Sequence, residues 1–278
     1  MTILFGMGAA LSYGLADFIG GLVTKRTSVF AVVLWSQVAG TLLIAVALPL
    51  FEGDYSTSAV LWGAASGVTG GIGVLFLYRG LATGRMSVVA PLTAVEAATI
   101  PVLFGFAIGE RPSELALVGV IVALAAVYLV SSNPVIGEED GPTASGIPHA
   151  LAAGAAFGAF FILLDQAGDG SGMWPLVGAR GASITTSVVG GLLMHGSLRA
   201  ERSAMPGIFA AGALDVIANI FYLLATRRGL LALAAVLTSL YPATTVVCAR
   251  VVLKEIVHRR QLVGLALVFA SIGLIGYG

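Results

Sequence analysis

Two stretches of this chain repeat one another at a fixed offset of 145 residues, without a gap. Gly67, Phe76, Gly84, Leu92, Thr93, Ala98, Thr99, Glu110 and Gly119 recur as Gly212, Phe221, Gly229, Leu237, Thr238, Ala243, Thr244, Glu255 and Gly264. Matches of Leu or Ala weigh little in so apolar a chain. Glu110 and Glu255, each followed nine residues later by Gly119 or Gly264, are hard to obtain by accident. A chain written twice must fold as two copies of one motif, and apolar copies with no aqueous surface belong in a bilayer.

Composition fixes the solvent. The 278 residues are 58% hydrophobic and only 10% charged, with a mean hydropathy of +1.00, against about 25% charged residues in an ordinary soluble domain. Runs of about 20 apolar residues suffice to cross a membrane as helices. Ten such runs are found, at 3–23, 29–50, 58–79, 86–107, 114–132, 147–165, 174–195, 205–226, 232–252 and 260–277. Met1-Thr2 leads directly into the first run with no basic segment and no cleavage pattern, so this run reads as a retained span.

The longest polar connection, 131–146, carries Glu138, Glu139, Asp140 and Pro142. It divides the chain into a first five-helix repeat over 1–133, a connection over 134–146 and a second repeat over 147–278. An odd number of crossings per copy makes the second copy enter from the opposite side. The expected fold is therefore an all-α integral membrane protein of ten transmembrane helices, arranged as two inverted five-helix repeats.

Other classes close quickly. The one cysteine, Cys248, sits in an apolar run and offers neither a disulfide nor a Cys/His metal cluster. Gly67, Gly70, Gly71 and Gly73 follow no strand and precede no Lys-Ser or Lys-Thr, so they are not a phosphate loop. Gly63, Gly67 and Gly71 fall one helical turn apart and suit close helix packing. His149, His195 and His258 lie near span ends and pair with no deep acid in sequence, which argues against catalysis. No catalytic residue, cofactor, metal or nucleic-acid partner is expected.

The informative residues are those that do not belong in hydrocarbon. Asp17, Glu96, Arg180 and Asp215 fall inside spans, and an ionised group there costs several kcal/mol unless paired or hydrated. Glu96 and Asp215 are the deepest. Asp17 and Arg180 lie nearer span ends, where snorkelling offers an alternative. Helical spacing groups polar neighbours with these charges: Asp215, Asn219 and Tyr222 share one face, as do Arg180, Ser183 and Ser187, and Thr238, Tyr241 and Thr245. Thr93 and Glu96 lie between Pro91 and Pro101. A single Ser or Thr can satisfy itself on a carbonyl one turn back, so the weight falls on the acids, Arg180, Gln37 and Asn219. Trp62 and Trp174 sit at span starts and read as interfacial, whereas Trp35, beside Ser36 and Gln37, is the better cavity residue. The candidate binding set is Trp35, Gln37, Glu96, Arg180, Asp215, Asn219, Tyr222 and Tyr241.

Ten spans in two repeats, Pro91 in the fourth span, Gly109-Glu110 and Lys254-Glu255 after the fourth and ninth, and Ala179-Arg180-Gly181 in the seventh resemble the EamA family of the drug/metabolite transporter superfamily. The resemblance covers nearly the whole chain. It implies a secondary carrier, commonly an exporter of amino acids or other small metabolites, with a central cavity lined by spans one, three, four, six, eight and nine. Two departures stand out: Ser36 and Gln37 replace the basic residue common in the second span of the first repeat, and Val236 stands opposite Pro91.

The expected function is thus secondary-active transport of a small molecule by alternating access between the repeats. Glu96 and Asp215 are the candidates for coupling to a proton. Buried acids outnumber the one buried Arg, which favours a cationic or zwitterionic substrate. The alternatives are efflux of cationic drugs or quaternary amines, and a passive channel-like facilitator. The expected setting is a bacterial cytoplasmic membrane, with the lipid bilayer as partner and a monomer as the unit. Lys and Arg concentrate in the odd-numbered loops, which by the positive-inside rule places both termini outside. The resemblance implies the reverse, both termini cytoplasmic, and is the arrangement adopted.

Overall fold

The computed structural model describes residues 1–24, 26–83, 86–131, 143–252 and 259–277. Every regular element among them is helical. In chain order these are α1 (Thr2–Thr24), α2 (Val29–Ala47), α3 (Thr57–Thr83), α4 (Met86–Ala107), α5 (Glu114–Ser131), α6 (Thr143–Asp165), α7 (Trp174–Leu193), α8 (Met205–Thr226), α9 (Leu231–Thr238), α10 (Tyr241–Val252) and α11 (Arg259–Tyr277). Each of the ten apolar runs is helical. A helix satisfies every backbone donor and acceptor within its own segment, which lipid requires. Among the described residues, six helical segments are long and apolar enough to cross a bilayer, and Leu92–Ala107, Glu114–Leu129 and Leu231–Thr245 are shorter apolar stretches. Most of the polar connection, residues 132–142, and the Lys254-Glu255 pair lie outside the described residues.

Proline sets several of these boundaries. Pro175 and Pro206 occupy the first turns of α7 and α8, where a missing N–H costs nothing. The ninth apolar run is broken by the same chemistry. Pro242 cannot donate to the Thr238 carbonyl, and its ring crowds that carbonyl. The chain therefore ends α9 at Thr238, turns through Ser239 and Leu240, and restarts as α10. Tighter bonds mark the turn, from Leu240 N to Leu237 O at 3.3 Å and from Ala243 N to Leu240 O at 3.0 Å. Its duplicate, Ala97, leaves α4 continuous.

Packing interleaves the repeats. Helix α3 lies against α6 and α7, and the duplicate pairing puts α8 against α1 and α2. Helix α4 packs on α6 as the α9–α10 pair packs on α1, while α5 pairs with α11. Two mixed bundles result: one of α3, α4, α6 and α7, the other of α1, α2, α8, α9 and α10. They meet along α2 with α7 and α4 with α9.

Glycine sets the closeness of these pairs. A methyl at Gly67 would strike the Ala179 carbonyl of α7, and one at its duplicate Gly212 would strike the Ser36 carbonyl of α2. Small residues let backbones touch where lipid gives no hydrophobic drive to association.

The repeated glutamate also gains a role. Glu110, between α4 and α5, accepts from the first two amides of α9: Leu231 N to Oε1 at 2.5 Å and Ala232 N to Oε2 at 3.0 Å. A carboxylate there satisfies orphan donors and meets the positive end of the helix dipole. The tie joins the two bundles. At the same end Arg227, capping α8, donates to Gly172 O at 2.7 Å in the α6–α7 connection, and Asp54 N donates to Gly170 O at 2.9 Å.

Candidate functional site

A cavity of about 150 Å³ lies between the bundles. Gly70, Gly71 and Val74 of α3, Ala97 of α4 and Ser183 of α7 form one wall. Tyr13 and Asp17 of α1, Gln37 of α2 and Tyr241 at the start of α10 form the other. Phe157, Phe160 and Phe161 of α6 add an aromatic floor.

The polar groups form one connected chain across this space. Arg180 of α7 donates through Nη1 to Asp215 Oδ2 of α8 at 2.7 Å and to Gln37 Oε1 of α2. Asn219, one turn beyond Asp215, donates to the Asp215 carbonyl at 2.6 Å and to Oδ2 at 3.3 Å. The Tyr13 hydroxyl donates to Asn219 Oδ1 at 3.0 Å. The Tyr13 and Tyr241 rings then meet edge to face, with centroids 6.4 Å apart. Each member bonds the next, while Arg180 Nε is buried without a partner among the described residues.

Burial differs along this chain. The Arg180 side chain is 5% exposed and Asp215 is 32% exposed, so the guanidinium borders the cavity with little open surface while the carboxylate keeps a face toward it. Asp17, four residues after Tyr13 on the same face of α1, is exposed to the cavity and has no hydrogen bond or ion pair among the described residues. The lining set therefore holds two carboxylates and one guanidinium, with the guanidinium already paired.

The structure brings together Gln37, Arg180, Asp215, Asn219 and Tyr241 of the sequence-derived set. Tyr222 lies just beneath them, fully buried, its hydroxyl donating to Phe161 O at 2.9 Å and its ring 4.6 Å from that of Phe161. It supports the floor and does not face the space. Trp35 lies elsewhere, packed with Val32, Ala204 and Ile208, with Nε1 donating to Leu198 O at 3.2 Å. Glu96 points at Gly154 of α6, and its Oε2 is buried without a partner among the described residues. Neither Trp35 nor Glu96 lines the cavity.

Sequence reasoning passed over Tyr13 and the α6 phenylalanines. Tyr13 was detectable, since it shares a helical face with Asp17 at a spacing of four. Phe157, Phe160 and Phe161 carry no such signal, because an apolar run looks the same facing lipid or lining a cavity. Helices α2 and α7 also reach the site, in addition to the spans the resemblance implies. Among the described residues, no three His, Cys, Asp or Glu side chains converge as a metal site.

No curated protein matches the chain. A solved structure described as "Crystal structure of protein" superposes with a TM-score of 0.81 at 18% identity, covering 99% of this chain and 98% of that one. At that identity the likeness speaks for the fold alone. The model of the EamA-like transporter family matches residues 1–132 and again 144–277, one match for each copy of the duplicated segment. Two matches that together span nearly the whole chain make it a member of the EamA-like transporter family.

Proposed function

We propose that this protein is a secondary-active carrier that moves a small organic metabolite of about amino-acid size across a membrane by alternating access, acting as an exporter. The ten helical runs are read as ten crossings, so that the five-helix repeats are inverted and the cavity sits near the midplane. The observation that carries the reading is the Arg180–Asp215–Gln37 cluster, a charged and polar network in the seam between two mixed bundles of an apolar protein. Polar groups at that depth mark substrate or ion paths. A volume of about 150 Å³ falls below the roughly 300–1,000 Å³ of clefts for drug-sized ligands, which favours a small metabolite over a bulky drug.

Opening proceeds by relative motion of the two bundles, since the repeats are interleaved and not separately packed. The Glu110 and Arg227 ties close one end of the seam and must part for that end to open. Asp215 is the coupling candidate that lines the cavity.

The test is accessibility. In a Cys248→Ala background, Val74→Cys places a thiol on the cavity wall. Alternating access predicts labelling by a membrane-impermeant thiol reagent from either face of sealed, oriented vesicles. Labelling from one face only, under every loading condition, contradicts it.

A further inference from the structure

We infer that the cavity selects small organic ammonium ions lacking a carboxylate, with Asp17 as the counter-charge and the rings of Tyr13, Tyr241 and Phe160 as walls. This inference rests on the carrier reading above and narrows its substrate. Arg180 is the cation an anionic substrate would need. It is already engaged by Asp215 at 2.7 Å and by Gln37, and it borders the cavity with little open surface. That pair sums to zero charge as seen by a ligand.

Asp17 is the residue left over. Its carboxylate faces the cavity with no hydrogen bond or ion pair among the described residues. An unpaired carboxylate at this depth is costly, and a cation is the ligand that compensates it. Asp215, its charge balanced by Arg180, contributes a hydrogen-bond acceptor, because Arg180 and Asn219 both take Oδ2 and Oδ1 remains. An ammonium group beside these acids also lies against aromatic faces, which attract cations through the ring quadrupole.

A carboxylate brought into the same space meets Asp17 and Asp215 and must displace Asp215 from Arg180. Zwitterions carry that penalty along with their ammonium. The site therefore discriminates against amino acids as well as acids.

Three probes sharing one branched skeleton test the inference on the purified full chain in detergent: 3-methylbutylammonium, leucine and 4-methylpentanoate. Titration calorimetry and thermal stabilisation read the affinity. The ammonium is expected to bind at least about tenfold tighter than either carboxylate-bearing probe, and Asp17→Asn is expected to remove that preference. The inference is overturned if leucine or 4-methylpentanoate binds as tightly, if the ammonium does not bind, or if folded Asp17→Asn binds it as well as the parent. The ranking on the parent protein stands even if the variant does not fold. Two-sided labelling at Val74→Cys with the wrong ranking removes the substrate class alone, whereas one-sided labelling removes the carrier reading.

Discussion

Arg180 and Asp215 belong to different bundles, and their 2.7 Å ion pair is the charged contact that joins the two walls of the cavity. Helix α7 supplies the guanidinium and α8 the carboxylate, with Gln37 of α2 completing the bridge. Relative motion of the bundles has to stretch or re-pair this contact. Under the proposed carrier cycle the contact bears on transport as well as on stability.

Removing one partner leaves the other buried and uncompensated. Arg180→Met or Asp215→Asn is expected to destabilise the protein toward the lower end of the roughly 3–5 kcal/mol seen for broken buried pairs, since Asp215 is 32% exposed. The double variant is expected to recover part of that loss. Denaturation of all four proteins in detergent gives the coupling energy directly, and strictly additive losses would show that the pair does not act as a unit.

Glu110 makes a separate prediction. Glu110→Ala deprives Leu231 and Ala232 of their acceptor and is expected to cost about 1–2 kcal/mol. Glu110→Gln keeps one acceptor oxygen and costs less. Hydrogen exchange at the amides of Leu231 and Ala232 should accelerate in Glu110→Ala while the middle of α8 stays protected. Unchanged exchange at these amides would mean that the cap does not hold α9.

The duplication itself is open to measurement. Gly67→Ala and Gly212→Ala each drive a methyl into a facing backbone carbonyl and are expected to destabilise by roughly 1–3 kcal/mol. Gly21→Ala, which faces open space, is expected to be tolerated. Thermal midpoints of the three variants compare them; a normal midpoint for either Gly67→Ala or Gly212→Ala would contradict the close-contact account.

Trp35 provides the converse case. Its indole bonds the Leu198 carbonyl away from the cavity, so Trp35→Phe is expected to lose about 1 kcal/mol of stability and to leave solute affinity unchanged. A tenfold loss of affinity in the probe titration would place Trp35 back in the site.

Much of this was legible in the residues. Apolar runs and the Glu110/Glu255 repeat located the helices and the two-copy plan, because hydrophobic length and self-similarity survive without coordinates. Arg180, Asp215 and Asn219, which border the cavity, stand out in the sequence because charges and amides in hydrocarbon need a reason. Asp17 borders the cavity, which sequence position alone does not separate from a snorkelling helix end. Glu96 is not among the residues that line the cavity: depth along α4 is readable, but the side of the helix that meets the seam is set by which neighbour packs where. The ninth run reads by hydropathy as one span over 232–252, and Pro242 is the residue that divides it into α9 and α10.

The most direct test of the carrier account is counterflow in proteoliposomes, using whichever of the three probes stabilises the protein most. Vesicles preloaded with unlabelled solute are diluted into labelled solute. Alternating access through this cavity predicts a transient accumulation of label above its external concentration, abolished by breaking the Arg180–Asp215 bridge with Asp215→Asn. Simple equilibration, at a rate indifferent to the solute on the opposite side, would contradict the account.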